Sequence, residues 1–115
     1  MRIQRWSKRR DPANLEGVDK DAYLADVLTD ECIDFITENK EKPWLAVLSH
    51  YLVHNPLQAK PEKVKYYEGK AKTDQQNPKY AAMIESVDES VGRVIQSLKE
   101  LNLEDDTLVI FTSDN

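Results

Sequence analysis

Thr107-Leu108-Val109-Ile110-Phe111-Thr112-Ser113-Asp114-Asn115 decides how the chain is read. Leu108 to Phe111 is a continuous apolar run of β-formers. Bounded by turn residues, such a run reads as a strand buried on both faces. The character then flips at once to Thr-Ser-Asp-Asn. In an open α/β sheet, ligands sit just beyond the carboxyl ends of the strands. An Asp and an Asn side by side at that edge offer oxygen donors, which suit a hard cation such as calcium or magnesium.

Before this strand lies the clearest helix. Asn77-Pro78 is a strong start, with Asn as cap and Pro in the first turn. Ile84, Val87, Val91, Val94, Leu98 and Leu101 follow at spacings of three and four, which predicts an apolar stripe facing the sheet. Gly92 is expected to permit close approach to that sheet. Asn102 is the expected C-cap, and Glu104-Asp105-Asp106 turns the chain into the final strand.

Trp44 to Tyr51 is a second apolar run with the length of a buried strand. His54 stands just past its carboxyl end, and Pro56 favours an extended, fixed loop there. That position admits a structural and a catalytic histidine equally. His50, inside the strand, reads as packed and hydrogen-bonded. A first helix is expected from about Lys20 to Asn39, with Asp19 as N-cap and Leu24, Val27, Leu28, Cys32, Phe35 and Ile36 on its apolar stripe. Cys32 has no activating neighbour in sequence and reads as core. Pro61 opens a short helix through Tyr67. Lys60, Lys63, Lys65, Lys70 and Lys72 read as a solvated face diluted by Glu62, Glu68 and Asp74, or as an anion-attracting patch.

Residues 1–20 form a basic, irregular lead-in around Trp6, and residues 21–115 form the folded unit. The 115-residue chain is 40% hydrophobic and 32% charged, the balance of a globular domain with its own core. The net charge of −5 gives no reason to expect nucleic acid. No apolar run approaches the ~20 residues of a membrane span. The basic start lacks the apolar segment of a signal peptide. A single cysteine makes no internal disulfide. Oligomeric state is open at this level.

Strands alternating with helices imply α/β architecture, a mostly parallel sheet flanked by helices and joined by right-handed crossovers. Parallel strands share one carboxyl edge. His54 and the Asp114-Asn115 pair are therefore expected on one rim, far apart in sequence and close in space.

Several stretches together carry a resemblance. Leu28-Thr29-Asp30-Glu31 opens a helical run. Ser49-His50-Tyr51-Leu52-Val53-His54-Asn55-Pro56-Leu57 comes next. Tyr80 to Glu85 and Asp88-Glu89-Ser90-Val91-Gly92 lead to Thr107–Asn115. In this order and spacing, from about Asp21 onward, the chain resembles the sulfatase family of the alkaline-phosphatase-like α/β superfamily. The resemblance implies that Asp114 and Asn115 are calcium ligands and that His54 contacts the sulfate ester. It implies a sulfated small molecule or glycan as substrate. It also implies a formylglycine nucleophile, made from Cys or Ser in a Cys/Ser-x-Pro-x-Arg motif, and an exported, periplasmic or lysosomal address.

That nucleophile motif is absent: Cys32 is followed by Ile33-Asp34-Phe35-Ile36. The paired aspartates and the Lys-x-x-His pair of the family are absent as well. The resemblance therefore implies an incomplete sheet and a partial catalytic domain over residues 21–115, with the formylglycine in a missing N-terminal part. Such a piece is expected to be inactive alone. Two other readings stand beside it. One is a phosphoesterase or phosphonate hydrolase of the same superfamily. The other is a non-catalytic α/β module that binds an anionic partner through its lysines.

Overall fold

The computed structural model describes residues 21–72, 74 and 76–113. The lead-in of residues 1–20, Asp19 as a cap, and the Asp114-Asn115 pair lie outside the described residues. Three helices follow in chain order: α1 over Leu24–Asn39, α2 over Pro61–Glu68 and α3 over Pro78–Glu100. A short 3-10 turn at Glu104–Asp106 precedes the terminal segment. Helix α3 is the hub, and α1 and α2 each pack against it.

The caps explain where α3 starts and stops. The Asn77 side chain accepts from the amides of Lys79 and Tyr80 at 3.0 and 3.2 Å, meeting two of the donors that a helix start leaves unpaired. At the other end Asn102 takes a left-handed φ of 56°, which Asn tolerates better than most side chains. The amide of Leu103 then donates back to the Leu98 carbonyl at 2.8 Å, and that of Asn102 to Lys99 at 3.0 Å. Two carbonyls at the helix end are thereby satisfied. Helix α1 starts at Leu24, four residues later than its sequence pattern suggests, with Tyr23 in extended backbone before it. In its last turn the Asn39 side-chain Nδ2 donates to the Phe35 carbonyl at 2.7 Å.

The core lies on the face of α3 turned to α1. Ala25, Ile36, Ala82, Met83 and Leu98 are buried, as are Thr29, Ser86, Ser90 and Ser97. This corrects the expected stripe. Leu98 is buried, Val87, Val91 and Leu101 are half-buried, and Ile84 is 46% exposed. Ala82, Met83, Ser86 and Ser90 set the inward face, and Ile84, turned by about 200° from Ala82, falls outside it. The serines fit the core because helix carbonyls satisfy them: Ser86 donates to Ala82 at 3.0 Å and Ser97 to Val94 at 2.8 Å. Gly92 does not make the expected close approach, since a Cβ there would meet nothing within 4 Å.

The described residues do not form the expected parallel sheet. Residues 44–51 and 107–112 make no strand among the described residues. Residues 44–50 nevertheless keep a strand's period of two, with Trp44, Ala46, Leu48 and His50 half-buried and Leu45, Val47 and Ser49 exposed between them. One face is covered where two were expected. Residues 108–111 are exposed throughout. The physical reason is the source of the hydrogen bonds. A helix satisfies most of its backbone within itself, whereas a strand needs at least one paired neighbour. Nothing among the described residues supplies that neighbour.

Candidate functional site

The turn that carries His54 leaves the end of the 44–51 segment. The His54 amide donates to the Tyr51 carbonyl at 2.9 Å, closing the turn. The Leu52–Val53 and Asn55–Pro56 peptide bonds are both cis. Beyond the turn the chain is tied to the start of α1. The Tyr23 hydroxyl donates to the Gln58 carbonyl at 3.0 Å, and the Lys60 ammonium pairs with Asp26 at 2.7 Å while lying 5.3 Å from the Tyr23 ring centre. The exposed His54 is thus held between two anchored points of the chain.

Its ring orientation is chemically informative. His54 Nδ1 lies 2.6 Å from the Asn55 carbonyl oxygen. A carbonyl only accepts, so Nδ1 carries a hydrogen, and in the neutral ring Nε2 is left with a bare lone pair. That nitrogen can take a proton from a bound group and, once charged, return one or attract an anion. Asp114 and Asn115 lie outside the described residues, so the shared rim with His54 has no measured distance. Among the described residues no group of three or more His, Cys, Asp or Glu side chains could hold a metal ion.

The second histidine is built differently. His50 Nε2 lies 2.7 Å from Ser90 Oγ, Ser90 Oγ lies 2.7 Å from Thr29 Oγ1, and Thr29 Oγ1 donates to the Ala25 carbonyl at 2.7 Å. His50 Nδ1 is buried with no partner among the described residues. Burial holds the imidazole below its usual pKa, so the ring is neutral at pH 7. The packed, hydrogen-bonded reading of His50 holds. Its partners were missed in sequence, although Ser86, Ser90 and Ser97 recur on one helical face at offsets of four and seven.

Cys32 is half-buried, and burial pushes its thiol up from the usual value, away from a nucleophilic thiolate. The lysines are largely committed. Lys63 sits between Glu85, at 2.6 Å, and Glu89. Burial alone would lower its pKa, but the two carboxylates outweigh that and raise it. Lys63 first and the Tyr67 hydroxyl second hold the Glu85 carboxyl below its usual range. Lys70 lies over the Tyr66 ring, 4.4 Å from its centre. Neutralised in this way, Lys60 and Lys63 offer little charge to an anionic partner.

The helical layer thus carries a histidine turn beyond an extended segment. The sulfatase family model matches residues 2–115. Human steryl-sulfatase is 41% identical over 91 residues, covering 79% of this chain and 14% of that protein. An N-acetylgalactosamine-6-O-sulfatase of Bacteroides thetaiotaomicron is 31% identical over 84% of this chain and 17% of its own length. The crystal structure of Ps i-CgsB in complex with k-i-k-neocarrahexaose superposes with a TM-score of 0.63 and 32% identity, over 75% of this chain and 19% of that one. The chain belongs to the sulfatase family, which hydrolyses sulfate esters and has the alkaline-phosphatase-like fold. It spans less than a fifth of the length of these relatives. No helix of the described residues is long and apolar enough to cross a membrane.

Proposed function

We propose that this chain is one portion of the catalytic domain of a calcium-dependent sulfatase, acting on sulfate esters at an exported, periplasmic or lysosomal address. Within it, His54 is the acid–base residue that contacts the ester. The observation that carries this reading is the 2.6 Å contact of His54 Nδ1 with the Asn55 carbonyl, which in the neutral ring leaves Nε2 bare on an exposed turn. Nε2 can take up a proton and, once charged, place it on an ester oxygen as the bond to sulfur breaks. The other chemistry lies in residues this chain does not hold, since it has no Cys/Ser-x-Pro-x-Arg motif.

Asp114 and Asn115 are the residues that would hold the cation. Their carboxylate and amide oxygens are the donor type calcium takes, and Asp adds the charge that Asn lacks. When bound, calcium would stabilise negative charge on the sulfate oxygens. Calcium takes about 6–8 oxygens, so this pair alone would bind it weakly. The names of the relatives share the sulfated group and differ in the alcohol that carries it. The sulfate ester is accordingly the part of the substrate assigned here, as in a sulfated small molecule or glycan.

The open surfaces support the same reading. Leu45, Val47, Leu108 and Ile110 are exposed on segments with strand character, whose faces the helices of a full domain would cover. The test is a domain completed around this chain with formylglycine present. His54→Ala should lower turnover by roughly 10²–10⁴-fold and leave calcium affinity near that of the parent. Asp114→Ala should remove a charged ligand and nearly abolish activity, with Asn115→Ala weaker. Turnover of sulfate esters by His54→Ala at the parent rate would refute the assignment. The 115-residue chain alone should not turn over an aryl sulfate.

A further inference from the structure

The polar chain behind His54 has a direction. The Ala25 carbonyl can only accept, so the single hydrogen of Thr29 Oγ1 is used there. Thr29 then faces Ser90 as an acceptor, and Ser90 must give it the hydroxyl hydrogen. With that hydrogen spent, Ser90 Oγ can only accept from His50 Nε2. The opposite arrangement would put the imidazole hydrogen on Nδ1, where a buried N–H would face no acceptor among the described residues. A bare lone pair is the less costly group to leave unpaired there, since under-satisfied acceptors are commoner than orphaned N–H groups.

We propose that His50 is a positioning residue for His54, acting as the first donor of a one-way chain from His50 Nε2 through Ser90 Oγ and Thr29 Oγ1 to the Ala25 carbonyl. The chain ties the 44–51 segment to α3 and α1 shortly before the His54 turn. The distance along the backbone is short: the Tyr51 carbonyl, one residue from His50, accepts the His54 amide. The surface pair that also joins α3 to α1 is a weaker tie: Arg93 with Asp30 is largely exposed, and exposed pairs contribute little. Thr29 and Ser90 are buried, so their hydroxyls cannot exchange this bond for water. The inference rests on the reading of His54 as the ester-contacting residue, but its test does not need turnover.

The test is long-range nitrogen–proton NMR of the imidazoles in the 115-residue chain. The parent should show a protected Nε2–H on His50 with Nδ1 bare, and Nδ1–H with Nε2 bare on His54. Ser90→Ala should expose the His50 Nε2–H to exchange and shift His54 toward the mixed tautomers of a free imidazole. Ser90→Thr keeps a hydroxyl at the same place and should restore both signatures. A His50 ring free of protection in the parent would overturn the proposal without any variant. So would a His54 signature unchanged in Ser90→Ala. Intact NMR signatures beside an active His54→Ala enzyme would refute the function and leave the positioning chain standing.

Discussion

The helical layer and the two extended segments are opposite cases within one chain. Met83 and Ile36 are 0% and 2% exposed, while Leu108 and Ile110 are 85% and 76% exposed. Both regions are apolar in sequence. The helices close their own hydrogen bonds, and α1 and α3 bury one face on each other. The extended segments have the composition of buried strands and no partner among the described residues. Each large apolar side chain left in water forgoes about 1.5–3 kcal/mol. The terminal segment therefore has a strong drive to be covered, while the helical layer is already satisfied.

Core truncation should break the contrast most sharply. Met83→Ala should destabilise the chain by about 2–5 kcal/mol in urea unfolding, while Ile110→Ala should stay within about 0.5 kcal/mol. Equal losses would mean that the terminal segment is packed after all. A smaller effect belongs to the cap. Asn77→Ala removes the acceptor of two α3 amides and should cost about 0.5–2 kcal/mol by the same measurement, with Asn77→Asp close to neutral.

Gly92→Ala has the opposite sign. It removes a residue that weakens helices and adds a methyl into open space, so it should stabilise this chain by about 0.5–1 kcal/mol. A loss instead would show that something packs closely on that face. The smallest effect is with pH. The folded His50 lies below the ordinary imidazole value of 6.5, so between the two values the unfolded chain holds more protons. Its contribution is full above the unfolded value and is lost as the pH falls through 6.5 toward the folded value. The urea midpoint should drop across that window, and His50→Gln should remove this part of the slope.

Those contrasts also show what the sequence could carry. The existence of all three helices was legible, because Asn77-Pro78, Asn102 and the periodic apolar residues act locally. The inward face of α3 was not. Hydrophobicity favours Ile84 and Val91, yet Ser86 and Ser90 are buried because hydroxyls bonded to helix carbonyls or to Thr29 cost little inside. The strands were legible as composition, and in residues 44–50 as a period of two, but pairing is a property of neighbours. Of the candidate site, the place of His54 on a turn beyond an apolar run was legible, and its Nδ1 contact with the Asn55 carbonyl only from the structure. The positioning chain needs contacts 40 and 61 residues apart, which no local pattern encodes.

Amide hydrogen exchange on the chain tests the central contrast most directly. The account predicts strong protection through the middle of α3, residues 82–98, and exchange near the rate of a free peptide at residues 108–111. The His54 amide, bonded to Tyr51 at the edge of the helical layer, should fall between them. Protection at residues 108–111 equal to that of α3 would contradict it, because those amides would then be paired in a sheet that this chain forms without its neighbours.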